Sequence, residues 1–195
     1  MLTDGPPRKA RHLAGFLESD RLRTLDLPQD ERLRTSAISV DSAMKAATTA
    51  AVRHACAEFL AAASDFYRVP RPGIRVLATR PLRVHEADWA TELFGGYTPA
   101  TMLIRVWMRT AVRKQVTSFG TFLSTLCHEF CHHLDYQQLR FCDSWHTRGF
   151  YERTAALYHH AERCRSDYSG WQCRAVGGGS TGRARIEVPE PSGEG

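Results

Sequence analysis

The strongest hydrophobic pattern of the chain lies between Ser118 and Phe141. Apolar side chains recur there every three or four residues, which is the spacing of one face of an α-helix. Ser118 precedes the pattern and belongs to the residue types that favour the N-cap position. The sequence therefore predicts a helix that is held in a core by one wide apolar stripe, formed by Phe119, Phe122, Leu123, Leu126, Phe130 and Leu134.

Patterns on either side of this segment predict two more helices. A long helix is expected over residues 42–67, with Asp41 or Ser42 as its N-cap, and it ends before Pro70 because the residue preceding a proline avoids helical geometry. A third helix is expected to start near Thr147, after a polar break, and to continue to Cys164.

Three segments between the first and second helices are predicted to be strands. Residues 73–84 are rich in β-prone side chains, and residues 92–99 and 100–110 read as two strands joined by a short turn. The order is helix, three strands, helix, helix. It predicts an α+β fold, in which a small three-stranded sheet, antiparallel or mixed, packs against the long N-terminal helix, the central helix and a C-terminal helix.

The two ends of the chain differ from its middle. Residues 1–36 mix proline, arginine and aspartate with scattered leucines, and we expect a loosely structured N-terminal extension with a short helix around Arg11 to Leu22. Residues 177–195 are rich in glycine, proline and serine, which predicts a disordered tail. The domain itself is expected over residues 37–176.

Composition narrows the class of protein. The 195 residues are 43% hydrophobic and 24% charged, which is typical of one soluble globular domain. No apolar run reaches the roughly 18–20 residues that a membrane span needs, and no secretory signal is visible, so a cytoplasmic location without membrane association is expected. The six cysteines are expected to be thiols rather than disulfides, and no Cys-x-x-Cys pair suggests a zinc ribbon.

A His-Glu-x-x-His pattern lies inside the predicted central helix, at His128, Glu129 and His132. Each residue turns a helix by about 100°, so the two histidines lie one turn apart on one face, away from the apolar stripe. Two imidazoles at this spacing can bind one zinc ion. Glu129 lies about 100° around the helix from His128, where it reaches a water on the zinc rather than the metal.

A catalytic zinc site needs a third protein ligand and an open position for water. The favoured candidate is His146, which precedes the third helix at a point where the chain can fold back towards the first two ligands. The alternative is Glu152 on that helix, as in peptidases whose third ligand is a glutamate. Imidazole suits zinc, which favours a site of three histidines and one water.

Three neighbours of the motif are expected to support the site rather than to bind metal. His133 points away from the ligand pair and is expected at the surface or behind the ligands. Asp135 lies one turn beyond His132 and is either a carboxylate that orients a ligand histidine or a solvated acid. Cys131 could close the site as a fourth ligand, but a small packing residue is the favoured interpretation.

The chain resembles the SprT-like zinc metallopeptidases, the group that includes Spartan. The resemblance rests on His128-Glu129-x-x-His132 followed by His146-x-x-x-Phe150, and it covers roughly Asp41 to Cys164. It implies a zincin-like fold with His128, His132 and His146 as zinc ligands and Glu129 as the general base. The chain departs from the family in having Thr147 where glycine is common, and in lacking a C-terminal zinc ribbon.

These observations predict a zinc-dependent peptidase that hydrolyses peptide bonds through a metal-bound water, with Glu129 as the general base and Zn²⁺ as the cofactor. An extended protein or peptide substrate is expected to pair with an edge strand at Thr101 to Arg109. Candidates for stabilising the oxyanion remain open at Tyr151, Arg148 and Tyr158.

Two other functions stay open at this level. One is a catalytically silent binding module that zinc stabilises, although such a module has no need of Glu129. The other is a nucleic-acid-associated protein, since the net charge of the chain is +5. DNA as a partner would be bound through phosphate contacts from Arg105, Arg109, Arg113 and Lys114.

Overall fold

The fold is described from a computed structural model of the chain, covering residues 3–85, 89–162 and 183–187, with the backbone alone for 83–85, 89–91 and 183–187. The helices within these ranges are α1 (Ala10–Arg21), α2 (Arg32–Lys45), α3 (Thr49–Tyr67), α4 (Phe119–Gln137) and α5 (Arg148–Glu162). The strands are β1 (Gly73–Thr79), β2 (Leu82–His85), β3 (Trp89–Leu93), β4 (Gly95–Thr98), β5 (Leu103–Arg109) and β6 (Arg183–Glu187). The predicted α+β class is confirmed.

A small mixed sheet of three strands packs against the helices, as the sequence predicts. Its strand order is β1-β5-β4, with β5 parallel to β1 and antiparallel to β4. The predicted edge strand is wrong, because β5, which corresponds to Thr101 to Arg109, is the central strand and β4 lies at the edge. A second sheet has the order β2-β3-β6 and is antiparallel throughout.

The single strand predicted over residues 73–84 is divided between the two sheets. β1 ends at Thr79 and β2 begins at Leu82, with Arg80 and Pro81 between them. Pro81 has no N–H to donate to a strand ladder. The side chain of Arg80 is buried there in an ion pair with Glu92, at 3.0 Å. This buried pair lies where the chain passes from the first sheet to the second.

The long helix predicted over residues 42–67 is two helices. Ala47 has a left-handed backbone with φ 54°, which ends α2 and starts a new helical direction. Thr48, rather than Asp41 or Ser42, is the N-cap of α3, and its hydroxyl accepts from the Ala51 N–H at 3.4 Å. Alanine-rich sequence favours helix on both sides of this break, so periodicity alone does not reveal it.

The central helix α4 lies as the sequence predicts. Its Ser118 cap accepts a hydrogen bond from the Thr121 N–H at 3.3 Å. All six members of the apolar stripe are buried, and they join a core that also contains Phe59 and Leu60 of α3 and Ile104 and Val106 of β5. α4 is therefore fixed on one side by the core, and its other side is available for chemistry.

The N-terminal extension is ordered over its described part, contrary to the predicted loose structure. α1 matches the predicted short helix, and α2 crosses the predicted domain boundary at residue 36, with Leu33 and Ser36 buried. α1 is held on α5 by polar contacts, which hydrophobic periodicity does not report. In particular, the buried guanidinium of Arg153 donates to the carbonyl oxygens of Ser19 and Leu22.

Within the predicted disordered tail, Arg183–Glu187 form β6 and pair with β3. The other residues of 177–195, and the expected helix end at Cys164, lie outside the described residues. Among the described cysteines, Cys56, Cys127, Cys131 and Cys142 are free thiols. No helix in the described ranges is long and apolar enough to span a membrane.

Candidate metal centre

Three histidine side chains converge at one end of a cleft, and their Nε2 atoms form a nearly equilateral triangle. The distances are 3.1 Å between His128 and His132, 3.1 Å between His128 and His146, and 3.2 Å between His132 and His146. Nitrogen ligands about 2.0–2.1 Å from one zinc at tetrahedral angles would lie about 3.3–3.4 Å apart. The triangle therefore fits a metal ion of this size, and all three histidines line the cleft.

One helix and one loop form this triangle. His128 and His132 lie one turn apart on α4, as the motif predicts, and His146 comes from the loop that leads into α5. Phe150, on the first turn of α5, packs its ring against His132 at 4.5 Å and against His128 at 5.0 Å between centroids. This aromatic contact fixes the ring planes from the side opposite the cleft.

Burial favours the neutral imidazole at His128 and His132. Burial, with a smaller contribution from the neighbouring His146, lowers the pKa of His128 to about 3. Burial also places the pKa of His132 well below its ordinary value, with His128 and His146 adding to the effect. Because only a neutral imidazole binds a metal, these two histidines are already in the protonation state that binding requires.

A chain of hydrogen bonds behind His132 sets its orientation. The Nδ1 atom of His132 lies 2.6 Å from the hydroxyl of Ser144, which donates to Oδ2 of Asp135 at 2.6 Å. The other carboxylate oxygen of Asp135 accepts from Arg153 at 2.9 Å. Asp135 therefore orients a ligand histidine through Ser144, and this places the Nε2 lone pair of His132 in the triangle.

His146 is held in a similar way by the N-terminal segment. Oδ2 of Asp4 accepts from the backbone N–H of His146 at 2.8 Å and lies 3.3 Å from its Nδ1. The Asp4 N–H also donates to the His146 carbonyl at 3.0 Å. The carboxylate of Asp4 therefore fixes both the backbone and the ring of the third histidine.

Glu129 is buried where α4 meets the edge strand β4. A β-carbon at Gly95 would lie 2.5 Å from Oε1 of Glu129 and 2.7 Å from Cγ2 of Thr125, so only glycine leaves room for this carboxyl. Burial raises the pKa of Glu129 from 4.5 to about 8, and the positive charge of Arg105 acts in the opposite direction. The carboxyl can therefore both accept and release a proton near neutral pH.

The cleft beside the triangle has a volume of about 660 Å³ and is bordered by β4. Tyr97 of this strand is fixed from behind, because its hydroxyl lies 2.9 Å from Nδ1 of His133 and Nε2 of His133 lies 2.7 Å from the Pro70 carbonyl. His133 is therefore a buried support of β4 and does not bind metal. The cleft is lined by Asp4, Leu93, Gly95, Gly96, Tyr97, Pro99, His128, Glu129, His132, Tyr136, Ser144, His146 and Tyr151.

The other candidates from the sequence lie away from the triangle. Glu152 is 38% exposed and pairs with Arg148 at 2.8 Å. Cys131 is buried in the core, as the packing interpretation predicts. Of the three oxyanion candidates, Tyr151 lines the cleft and stacks on His146, whereas Tyr158 donates to Glu162 at 2.6 Å.

Sequence reasoning missed Asp4, Gly95, Tyr97 and Ser144. A local signal exists at Gly95, because two adjacent glycines, Gly95 and Gly96, favour a bend in a strand. Asp4 has no such signal, because it lies 142 residues from His146 and no local pattern connects the two. Comparisons of the chain with protein-family models, with curated proteins and with solved structures found no match. The histidine triangle and its surroundings are therefore the observations from which function is inferred.

Proposed function

We propose that the protein is a zinc-dependent peptidase with Glu129 as its general base. One observation carries this proposal: the Nε2 triangle of His128, His132 and His146 shares its cleft with a buried acid and with β4, which is an edge strand among the described residues. A structural metal site is normally closed by four protein ligands, whereas three ligands leave a position for water. The membership in the SprT-like family and the cytoplasmic location stay predictions.

The chain's own residues have distinct roles in this proposal. The three histidines would hold the ion, which when bound supplies a Lewis acid and lowers the pKa of a water. The carboxylate of Glu129 accepts a proton from the attacking water and returns it to the amine that leaves the cleaved peptide bond. The close approach of Gly95 leaves the carboxyl of Glu129 little room to move.

The free edge of β4 is the proposed binding site for an extended peptide. The Phe94 carbonyl accepts from the Trp107 N–H, which makes this a hydrogen-bonded pair of the antiparallel ladder between β4 and β5. By alternation, Gly96 and Thr98 also point their backbone groups at β5, and those of Gly95 and Tyr97 point at the open edge. A peptide added there would lie directly over Glu129.

Tyr151 is the proposed stabiliser of the developing oxyanion. Of the three candidates from the sequence, Tyr151 is the one that lines the cleft. Its ring stacks on that of His146 at 5.8 Å between centroids, which holds the side chain beside the triangle. A hydroxyl donor placed there can stabilise the charge that develops on the carbonyl oxygen.

The experiment compares zinc-loaded wild type with Glu129→Gln on an unfolded protein such as casein. Glutamine is close to the shape of glutamate but cannot accept the proton, so hydrolysis should fall by about 10²–10⁴-fold while bound zinc stays at one per chain. Glu152→Gln, an acid outside the cleft, is the matched control and should retain activity. Equal turnover by Glu129→Gln and wild type would reject the general-base role.

The alternative function is a zinc-stabilised binding module without catalysis. It would be favoured if zinc-loaded wild type binds unfolded protein but cleaves none over long incubation. In that case Glu129→Gln would leave binding unchanged, and the same experiment decides between the two functions.

A further inference from the structure

The segment beside the proposed peptide edge contains basic residues but no acidic ones. From residue 93 to residue 128 the sequence contains no aspartate or glutamate. The cations of this segment lie on β5 and the turn that follows it, and they are Arg105, Arg109, Arg113 and Lys114. An unbalanced set of one sign next to a cleft attracts ligands of the opposite sign.

Arg105 is the cation of this set that reaches the edge of the sheet. It is exposed on the face of β5 that points away from α4, directly opposite Gly96 of β4. Its Nη2 atom donates to the Thr98 hydroxyl at 3.2 Å and lies 3.9 Å from the place that a β-carbon of Gly96 would occupy. The guanidinium therefore extends across β4 over a glycine that has no side chain to cover it.

The sheet holds Arg105 in an electrostatically unfavourable position. Arg75 of β1 lies opposite Arg105 in register, and both side chains are exposed. Like charges that face each other across neighbouring strands destabilise a sheet. Arg75 lies on the side of β5 away from the cleft, so a ligand on the free edge of β4 meets Arg105 first.

A peptide on the free edge of β4 would place one side chain beside this guanidinium. Side chains of paired strands stand on the same face when their residues are directly opposite, about 4.5–5.5 Å apart at Cβ. The peptide residue opposite Gly96 would therefore project on the outer face, where Arg105 lies. Glu129 contacts the neighbouring position, Gly95, so this residue would be within about two residues of the cleaved bond.

We propose that Arg105 selects peptides with an acidic side chain at this position, so that the substrates are extended segments with a glutamate or aspartate next to the cleaved bond. This proposal rests on the peptidase function and specifies its substrate class. The observations favour a peptide over a nucleic acid because a single guanidinium reaches the edge. Arg109, the next cation along β5, donates instead to the Lys114 carbonyl at 3.1 Å.

The test measures binding of matched fluorescent peptides to the zinc-loaded protein that carries Glu129→Gln, so that cleavage does not interfere. Each set contains three peptides that differ only by Glu, Gln or Lys at one position. Successive sets place this varied residue at successive positions of the peptide. Glu should bind about three- to tenfold more tightly than Gln at one position, as expected for a partly exposed ion pair. Adding Arg105→Gln should abolish this preference, and Arg105→Glu should reverse it in favour of Lys.

Arg75→Gln is the matched control, because it removes the same charge from the same face one strand farther from the edge. It should retain the positional preference for Glu. Thermal unfolding of each variant checks that the fold is kept. The proposal is overturned if Arg105→Gln retains the preference, if no peptide binds, or if a single-stranded oligonucleotide binds more tightly than the Glu peptide through Arg105.

Hydrolysis of the same peptides by zinc-loaded wild type separates this proposal from the peptidase function. Cleavage without dependence on the acidic position would overturn the role of Arg105 and leave the peptidase function intact. An Arg105-dependent preference in binding without any cleavage would reject the peptidase function and leave the recognition of acidic peptides standing.

Discussion

Oδ2 of Asp4 lies 2.8 Å from the backbone nitrogen of His146, across 142 residues of sequence. This contact joins the N-terminal segment to the third corner of the histidine triangle. A carboxylate behind a metal-binding histidine fixes the ring and raises its basicity. The segment that the sequence predicts to be loosely structured thus supports the histidine triangle.

Asp4→Ala should weaken zinc binding without removing the site. The loss of a carboxylate behind a ligand histidine typically reduces metal affinity by about 10–100-fold. Competition with a chromophoric chelator measures the affinity, and Glu18→Ala, an exposed acid of α1, is the control. If the two variants bind zinc equally well, the contact does not support the metal.

His146→Ala and Glu152→Ala should have opposite outcomes. His146 supplies one corner of the triangle, so its removal should reduce bound zinc well below one per chain. Glu152 pairs with Arg148 on the surface of α5, and its removal should leave zinc content unchanged. Metal analysis of the purified variants measures both. Full zinc in His146→Ala would assign the third ligand elsewhere.

Ser144→Ala and Asp135→Ala should separate orientation from stability. Ser144→Ala breaks the link to His132 and should mainly lower zinc affinity. Asp135→Ala also leaves the buried guanidinium of Arg153 without its carboxylate, which should cost about 3–5 kcal/mol of unfolding free energy. Urea denaturation with a chelator present compares the two. Equal destabilisation would place Ser144 in the same structural role as Asp135.

Gly95→Ala should disturb the site more than Gly96→Ala. A β-carbon at position 95 would collide with Glu129 and Thr125, whereas one at position 96 meets only Arg105 at 3.9 Å. Forcing a methyl group into a filled space costs about 1–3 kcal/mol. Unfolding free energies of the two variants measure the difference. Equal values would mean that β4 shifts away from α4 without cost.

Glu129→Gln should stabilise the metal-free protein in a pH-dependent way. Burial raises the pKa of Glu129 from 4.5 to about 8, so between these values the folded state keeps a proton that the unfolded chain has lost. Stability of the wild type therefore falls as pH rises through this range. Glutamine does not ionise, and its advantage should grow from near zero at pH 4.5 to a few kcal/mol above pH 8.

Denaturation with a chelator at pH 5 and at pH 8.5 tests this dependence. Saturating zinc should reduce the advantage of Glu129→Gln, because a nearby cation favours the charged carboxylate. An advantage that is the same at both pH values would mean that Glu129 titrates normally.

The central helix and its two histidines could be predicted from the sequence because their signal is local. The apolar stripe from Phe119 to Leu134 and the four-residue spacing of His128 and His132 both follow from helix geometry. The third histidine could be proposed only from its place before α5. Its selection over Glu152 depends on how α5 packs, which no periodicity specifies.

The missed features depend on contacts between distant parts of the chain. The position of β4 at the sheet edge follows from the parallel pairing of β1 with β5, which places β5 in the centre. The break at Ala47 depends on where α2 and α3 pack, since alanine itself favours a continuous helix. Arg153 reads as a surface residue of an amphipathic helix, but its partners bury it completely.

The contact between Arg153 and Ser19 also determines when the site can form during protein synthesis. These residues are 134 positions apart, and a ribosome adds about 5–20 residues per second. Arg153 is therefore synthesised roughly 7–27 s after Ser19. Until then α1 has no α5 to pack on, and the loop that carries His146 has not been made. The three corners of the histidine triangle can therefore come together only after most of the chain has been made.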